Sequence, residues 1–424
     1  MHNAPIGYPL DIHLKKGISA AEAIKLLQEH DCLAFPQLKS GLFPAANFDS
    51  FEKDETGMTN AWLRDTSCIG LILLDTNRDV AIEAVKGILS CLDAIRQSFE
   101  NSIESGQAPV TDGSRPPVRF TGEDSVPLYD WANAQNDALG YALQFIGKVA
   151  KLDVIDVDRG LINVLVSYLE TVRYWEDADS GHWEEIKKVN ASSIGTVVAG
   201  LRAIRSVTAD ETKITALIER GNEALNAILP FESKTPRYER AYDSALVFLV
   251  EPQSVVSDEM AEKIIIQTEQ NLMGEHGFRR YENDSYWGPD YREHFQVGSR
   301  TADFSKPENM ALRNRYLTPG NEAQWTLIDP LMAIYYARQY QKQAKPEDAR
   351  QAKRFIARSL KSIVTHEKEG VIVWRIPELF FLEDGMWVPN DHLGLLWGQA
   401  NLLQGLLVYQ EVFGDAKIIM TEAV

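Results

Sequence analysis

The stretch DSGHWEEIKKVNASSIGTVV, residues 179–198, holds the pattern that decides the fold of this 424-residue chain. It begins with polar and aromatic side chains and, from Asn190 onward, turns into an apolar segment rich in Ala, Ser and Gly. Asn and Ser are favoured where a helix begins because their side chains accept hydrogen bonds from the first backbone N–H groups. The stretch therefore predicts a helix over 192–206 with a polar opening at its amino-terminal end.

Five further segments open in the same way before an apolar, helix-periodic run. The six openings begin at Asn60, Trp131, Asn190, Tyr242, Asn321 and Asn390. Roughly 50 to 80 residues separate successive openings, which leaves room for one further helix between each pair. Capping alone explains any single Asn, Asp or Ser, but not the neighbouring Trp, Arg and Gln, which are typical of crevices that bind sugars. Six helix pairs with one polar mouth predict an all-α toroid.

Helical periodicity runs through most of the chain, and no convincing series of alternating strands is present. The predicted helices lie at about 20–29, 66–75, 79–98, 134–151, 158–175, 192–206, 209–228, 242–250, 257–272, 322–342, 346–364 and 393–412. Only 103–128 and 276–319 are long without clear helix, and such segments often carry function. Because no linker or short repeat divides the chain, we expect one domain over 1–424, with residues 1–30 as an N-terminal helical extension packed on the barrel.

Composition and charge exclude several classes of partner. The formal charge of −18 and the pI near 5.0 disfavour nucleic acid and anionic membrane surfaces, which attract faces rich in Lys and Arg. No segment approaches the roughly 18 apolar residues of a membrane span, and the amino terminus lacks the pattern of a secretory signal. We therefore expect a cytoplasmic protein whose partner is a small molecule.

The residues that usually bind metals or cofactors are sparse. Cys32, Cys68 and Cys91 are too few and too scattered for a disulfide framework or a zinc site, so we expect buried free thiols. No His, Asp or Glu cluster has metal-ligand spacing, and no glycine-rich phosphate loop is present. The expected site therefore contains neither a metal nor an organic cofactor.

Glu184 is a candidate general acid. It follows Trp183 directly, in a turn just before a helix, where apolar surroundings would favour the protonated carboxyl that a general acid needs. The neighbouring Glu185 would act in the same direction if the two carboxylates stay close. On spacing alone, both glutamates fit a solvated charge run with Lys187 and Lys188 equally well.

Glu378 is a candidate general base. Pro377 fixes its own φ and biases Ile376 toward extended geometry, so Glu378 is expected on a stiff turn, which suits a base that must hold water. Glu383 and Asp384 lie close by in the sequence. They are alternative bases that the sequence alone does not separate from Glu378.

The order of these motifs resembles glycoside hydrolase family 15, the glucoamylase family, over nearly the whole chain. The matching motifs are Trp62-x-Arg64-Asp65, Trp183-Glu184-Glu185 with Asn190-x-Ser192-Ser193, Arg280-Tyr281 with Asp284 and Tyr286, and Pro377-Glu378 before an apolar helix containing Trp397. Within that family the chain is most similar to the N-terminal glucoamylase-like domain of phosphorylase kinase α and β subunits. That likeness includes GLFPA at 41–45 and LWGQ at 396–399.

The resemblance implies an (α/α)6 barrel and an inverting exo-attack on the non-reducing end of an α-glucoside, with release of β-glucose. Glu184 is then the acid and Glu378 the base, with carboxyl groups about 6.5–9.5 Å apart. Candidate substrate-binding residues, from family positions or from the polar openings, are Trp62, Arg64, Asp65, Asp137, Trp183, Glu185, Arg280, Glu322 and Trp325. Asn190 is expected to order the loop behind the acid.

One departure from the family pattern concerns the catalytic water. Glucoamylases usually have a Tyr four residues before the first Trp, where it helps to handle that water, and here the position is Met58. This substitution indicates slower catalysis than in an ordinary glucoamylase. The sequence leaves the glycosidic linkage, the chain length of the substrate and the oligomeric state open.

The main alternative function is a carbohydrate-sensing or regulatory protein that keeps the barrel without turnover. The resemblance to the kinase subunits favours this alternative. The absence of a basic amphipathic tail and of a C-terminal prenylation cysteine after the barrel favours the enzyme instead. A terpene cyclase would need an Asp-rich metal motif in a helix, and Asp153, Asp156 and Asp158 have the wrong pattern.

Overall fold

Helices dominate the computed structural model, which describes residues 7–47, 56–208, 210–368 and 370–420. In chain order the helices are α1 (Asp11–Lys16), α2 (Ala20–Glu29), α3 (Leu63–Thr76), α4 (Arg78–Ala94), α5 (Arg96–Ser105), α6 (Asn136–Ala150), α7 (Arg159–Thr171), α8 (Ala191–Ile204), α9 (Glu211–Ile228), α10 (Val247–Val250), α11 (Asp258–Leu272), α12 (Tyr291–His294), α13 (Pro307–Arg313), α14 (Asp329–Gln343), α15 (Pro346–Lys361) and α16 (Leu396–Phe413). The strands are β1 (Ala61–Trp62), β2 (Arg119–Phe120), β3 (Gln324–Trp325), β4 (Val364–Lys368), β5 (Val371–Arg375), β6 (Leu379–Glu383) and β7 (Met386–Pro389).

Six inner helices surround the axis of the molecule. They are α3, α6, α8, α10, α14 and α16, each in contact with the next, and α16 closes the ring against α3. Each inner helix packs against an outer helix, which is α4, α7, α9, α11, α15 or α2 in the same order. Because the inner and outer helices alternate along the chain, all six inner helices run in one direction and their amino-terminal ends meet at one mouth. This is the predicted (α/α)6 barrel.

Small residues set the spacing of the inner helices. A Cβ atom on Gly140 in α6 would lie 2.6 Å from the backbone of Thr196 in α8, and one on Gly200 would lie 2.4 Å from the carbonyl oxygen of Gly140. Such contacts are too short for any side chain, so glycine is required where the two backbones approach. The small residues in the apolar segments that follow the polar openings therefore allow α6 and α8 to pack closely.

The amino-terminal segment is part of the ring. Helix α2 is the outer partner of α16. Ile18 and Ile418 exchange two backbone hydrogen bonds of 3.0 and 2.7 Å. The prediction of an extension over 1–30 is therefore wrong for α2, because this helix completes the sixth helix pair of the barrel. Residues 1–6 of that prediction lie outside the described part of the chain.

Other differences from the predicted elements lie mainly after residue 320. Two antiparallel hairpins, β4 with β5 and β6 with β7, were not predicted. Their strands are runs of β-branched and aromatic residues without clear alternation, which periodicity alone does not distinguish from helix. The predicted helix over 322–342 begins only at Asp329 because Gln324 and Trp325 pair with β6. In place of the predicted helix over 242–250, the structure has a 3₁₀ turn followed by the short helix α10. The predicted helix over 79–98 is divided at Ile95 into α4 and α5.

Two sequence expectations about composition can be compared with the described residues. Cys32, Cys68 and Cys91 are buried free cysteines, as predicted. None of the helices in the described ranges has the length and apolar character that crossing a membrane requires.

Candidate active site

One cavity of about 120 Å³ opens where the amino-terminal ends of the inner helices meet. Its walls combine aromatic rings with charged groups, the mixture that sugar recognition requires. They include both candidate glutamates and much of the predicted substrate-binding set, namely Trp62, Arg64, Asp65, Trp183, Glu184, Arg280, Trp325 and Glu378. Met58, Arg119, Trp131, Tyr286 and Trp397 also line it. Residues distant in sequence therefore meet at the polar mouth.

Glu184 is held by two donors on the wall that we call the acid wall, formed by Arg64, Asp65, Trp131 and Glu184. Its Oε1 accepts a hydrogen bond from Arg64 Nη2 at 2.7 Å, and its Oε2 accepts one from Trp131 Nε1 at 2.8 Å. The side chain is 15% exposed, so it keeps access to the cavity. The apolar surroundings predicted for Glu184 are therefore wrong in this structure, where a guanidinium and an indole N–H contact the carboxylate.

Arg64 is fixed from behind by buried acceptors. Its Nη1 donates to Gln135 Oε1 at 2.9 Å and to Asp137 Oδ2 at 3.2 Å. Asp137 is fully buried and does not line the cavity, which corrects its predicted substrate contact. Its carboxylate instead orients the arginine that touches Glu184.

Asp65 does line the cavity, and its charge is strongly affected by its surroundings. Burial raises its pKa from 3.8 to about 6, the nearby Arg64 acts in the opposite direction, and the negative charge of Glu184 adds to the rise. The Nε of Arg64 lies 3.6 Å from Asp65 Oδ2. Asp65 is thus a polar group that can exchange a proton in mildly acidic solution.

Glu185 points away from its neighbour and is almost completely buried. Arg280 Nη2 and Arg313 Nη2 each lie 2.7 Å from its Oε1, and the hydroxyl of Tyr281 donates to it. Burial alone would raise its pKa, but Arg280, Arg313 and Arg240 outweigh that effect and hold the pKa well below its ordinary value. Glu185 does not line the cavity, which corrects its predicted contact with substrate. Its charge is neutralised by arginines, which corrects the prediction that Glu185 acts on Glu184 as a nearby like charge.

The local backbone explains how adjacent glutamates separate. Glu184 has a left-handed backbone conformation with φ of 56°, an uncommon one for a residue other than glycine. Glu185 then forms a parallel bridge with Phe304. Asn190 supports this loop because its Nδ2 donates to the Asp179 carbonyl oxygen at 2.9 Å and to Asp179 Oδ1 at 2.7 Å. The role predicted for Asn190 is therefore confirmed.

Glu322 is the third predicted substrate contact that the structure places elsewhere. It is buried, and its carboxylate accepts hydrogen bonds from Arg279 Nη1 at 3.3 Å and from the backbone N–H of Asn283 at 2.9 Å. It does not line the cavity. Its contacts instead hold the turn that presents Arg280 to the cavity.

Glu378 lines the cavity, and we call Glu378 together with the buried Asn390 and His392 behind it the base wall. Its Oε2 accepts hydrogen bonds from Asn390 Nδ2 at 2.6 Å and from His392 Nδ1 at 2.7 Å. Its backbone N–H donates to the His392 carbonyl oxygen at 3.0 Å. Among the described residues, Oε1 receives no hydrogen bond. The carboxylate is therefore held by one oxygen on a wall of the cavity.

The alternative bases occupy other environments. Glu383 Oε2 accepts from Arg292 Nη1 at 2.8 Å, outside the cavity lining. Asp384 is exposed in the turn between β6 and β7. The geometry therefore favours Glu378 among the three carboxylates that the sequence left open.

Trp131, Asn390 and His392 contact the candidate catalytic residues but were not predicted as site residues. The only signal was their position in the second and sixth polar openings. No spacing rule links Trp131 to Glu184, which is 53 residues away. Within the ranges that the structure describes, no group of three or more His, Cys, Asp or Glu residues could hold a metal ion.

Comparisons with known proteins agree with this architecture. Residues 27–216 match the family model described as glycosyl hydrolases family 15.

Two curated relatives are each called "Probable phosphorylase b kinase regulatory subunit alpha". The one from Drosophila melanogaster is 22% identical over 426 residues, covering 89% of this chain and 32% of the relative. The one from Caenorhabditis elegans is 30% identical over 179 residues, covering 37% of this chain and 14% of the relative. The chain thus matches about a third or less of their length.

Solved structures give the same fold. A structure called "Glycosidase Wild Type" has a TM-score of 0.61 at 19% identity, covering 92% of this chain and 96% of that one. A glucoamylase from Saccharomycopsis fibuligera has a TM-score of 0.56 at 12% identity, covering 94% of this chain and 98% of that one. These likenesses confirm the barrel fold, and the match to the glycosyl hydrolase family 15 model covers residues 27–216, a little less than half of the chain.

Proposed function

We propose that this chain, a relative of glycoside hydrolase family 15 that also resembles phosphorylase kinase α subunits, is an inverting, exo-acting α-glucoside hydrolase. It releases β-glucose from the non-reducing end of an α-glucan or α-gluco-oligosaccharide. The observation that carries the proposal is the presence of Glu184 and Glu378 on the walls of one aromatic-lined cavity. Two carboxyl groups that flank a glycosidic bond are the machinery of most glycosidases.

On the acid wall, Glu184 donates a proton to the glycosidic oxygen. In the free protein, Arg64 occupies Glu184 Oε1 with a 2.7 Å contact. We infer that hydroxyl groups of the bound sugar take hydrogen bonds from Arg64 and give theirs to Asp65. This exchange releases the Glu184 carboxyl for proton transfer, because catalytic hydrogen bonds often reach their working geometry only when substrate is bound.

On the base wall, Glu378 takes a proton from the water that attacks the anomeric carbon. Its Oε2 is occupied by Asn390 and His392, so Oε1 is the atom that holds the water. Trp62, Trp183 and Trp325 supply apolar faces for the sugar ring. Inversion requires the water to fit between base and sugar, with carboxyl groups about 6.5–9.5 Å apart.

The second candidate function is a carbohydrate sensor with slow or absent turnover. It is favoured by Met58 on the cavity wall, where the family usually has a tyrosine, and by the regulatory subunits among the relatives. Such a protein would bind α-glucosides in the same cavity. The two functions differ in turnover, which makes them separable by experiment.

The test is hydrolysis of a panel of α-linked glucobioses and longer glucans by wild type, Glu184→Gln and Glu378→Gln. Glucose release by wild type that falls at least about 100-fold in both variants is expected, since acid and base groups each contribute about 10²–10⁴-fold. Near wild-type activity in either variant would exclude that residue from catalysis. Saturable glucan binding by wild type with no glucose release would establish the sensor instead.

A further inference from the structure

A second cleft, of about 530 Å³, lies next to the catalytic cavity, with Glu185 in its wall. Arg280 lines the catalytic cavity and bonds Glu185, so this ion pair separates the two spaces. The cleft is also lined by Lys188, Arg240 and Tyr281. We propose that it binds a small hydroxylated anion of the sugar phosphate class, with Lys188 as the residue that pairs with the anionic group.

Lys188 is the unusual member of this wall. The residue is 3% exposed, yet none of the described residues forms a hydrogen bond or ion pair with its Nζ. The neighbouring arginines all have partners: Arg280 contacts Asp284 and Glu185, Arg313 contacts Glu185, and the partly buried Arg240 contacts Asp243. The carboxylates of Glu185, Asp243 and Glu232 act on Lys188 only through their charge, so its ammonium group keeps hydrogen-bonding capacity for a ligand in the cleft that it lines.

The charges around Lys188 also leave room for an anion. The groups that act on it are Arg240, Glu185, Asp243 and Glu232. Burial lowers the pKa of Lys188 to about 8, and burial raises that of Glu232 to about 8. At neutral pH the lysine is therefore mostly charged and Glu232 mostly protonated, so Lys188 and Arg240 face only the carboxylates of Glu185 and Asp243. An anion in the cleft would pair with Lys188, while Arg240 keeps its contacts with Asp243 and Glu185.

The rest of the lining suits the hydroxyl groups of a small polyol. Asn283 and Asn314 offer amides, and Tyr238 and Tyr242 offer phenol groups and ring faces. The exposed Glu239 and Glu282 at the same cleft, together with the protein's charge of −18, disfavour a ligand with many negative charges. A single phosphate on a sugar combines one charged group with several hydroxyls.

Calorimetric titration of the full chain with glucose 6-phosphate at pH 7 and matched ionic strength tests the proposal. Saturable binding is expected in wild type, with affinity at least about 10-fold lower in Lys188→Met, because the variant loses the charged hydrogen bond to the anionic group. Lys187→Met is the matched control, since Lys187 contacts Val110 and Asp112 outside this cleft, and should bind like wild type. Titration with uncharged glucose measures binding in the catalytic cavity by itself. Lys188→Met should leave this affinity for glucose unchanged.

A second measurement keeps the proposal testable if Lys188→Met folds poorly. Wild-type affinity should fall as the pH rises from 7 to 9, because Lys188 loses its proton and Glu232 gains a negative charge near pH 8. In Lys188→Arg only Glu232 still titrates in this range, so the affinity should fall less than in wild type. Absent binding, equal affinity in wild type and Lys188→Met, or the same pH dependence in wild type and Lys188→Arg would overturn it. The proposal concerns binding alone and does not depend on turnover in the catalytic cavity.

Discussion

The acid wall and the base wall hold their glutamates by different means. Glu184 contacts a guanidinium that is itself fixed by buried Gln135 and Asp137. Glu378 is held by a side-chain amide and an imidazole and, among the residues that the structure describes, through one oxygen only. Under the proposed function, the base wall needs no rearrangement before substrate binds, whereas the acid wall exchanges the contact between Arg64 and Glu184 for sugar hydroxyls. The proposal therefore couples substrate binding to proton donation on the acid wall.

The largest expected effect is on kcat, and its dependence on the leaving group of the substrate distinguishes the acid wall from the base wall. Glu184→Gln and Glu378→Gln should each reduce kcat on a glucobiose by about 10²–10⁴-fold. With α-glucosyl fluoride, whose leaving group needs no proton, Glu184→Gln should regain most of its activity and Glu378→Gln should not. Steady-state fluoride release measures both. Equal recovery in the two variants would contradict the assignment of acid and base.

Removal of Arg64 should damage stability as well as activity. Arg64→Met leaves Asp137 and Glu184 without their cation, and loss of one partner from a buried ion pair costs about 3–5 kcal/mol. Chemical unfolding measures the free energy. Arg173→Met, in which an exposed pair with Glu176 is lost, is the control and should change stability by less than about 1 kcal/mol. Similar losses in both variants would show that Arg64 is not the anchor of the acid wall.

A smaller effect is expected from the donors that hold each carboxylate. His392→Phe removes the 2.7 Å hydrogen bond to Glu378, and Trp131→Phe removes the 2.8 Å hydrogen bond to Glu184. A hydrogen bond to a charged group contributes about 1.5–3 kcal/mol, so kcat should fall by roughly 10–100-fold in His392→Phe with little change in KM. Trp131 also lines the cavity, so its variant should change KM as well. Unchanged kcat in His392→Phe would remove the histidine from the base wall.

The smallest effect concerns the pH dependence of stability on the acid wall. Because the pKa of folded Asp65 is raised to about 6, its stabilising contribution is complete below about pH 4 and is lost as the pH rises through 6. Asp65→Asn removes this dependence. The difference in melting temperature between wild type and Asp65→Asn should therefore shift in favour of the variant between pH 4 and 7. A constant difference would contradict the raised pKa.

The barrel was predictable because its signal is repeated. Each polar opening marks the start of an inner helix, and one misread opening among six leaves the architecture unchanged. The hairpins after residue 363 carry no such repetition, and neither helix nor strand was predicted between the helices at 346–364 and 393–412. Helix α2 was misassigned because its partner α16 lies more than 350 residues later in the chain.

The site was predictable only where a residue and its role lie in one motif. Arg64, Trp183 and Glu184 line the cavity as expected from their motifs. Asp137, Glu185 and Glu322 stand in equally convincing motifs but face buried partners, because sequence gives the residue and not the direction of its side chain. His392 was missed for a related reason: its contact with Glu378 depends on how β6 and the start of α16 meet in space.

The most direct test of the central claim is the anomeric form of the first product. Proton NMR spectra recorded within minutes of adding wild-type protein to the best α-glucobiose should show β-glucose ahead of its slow conversion to the equilibrium mixture. That result would establish inversion, the outcome that an acid and a base acting from opposite sides of the bond produce. Initial release of α-glucose, or no release of glucose from any α-glucoside that binds, would contradict the account.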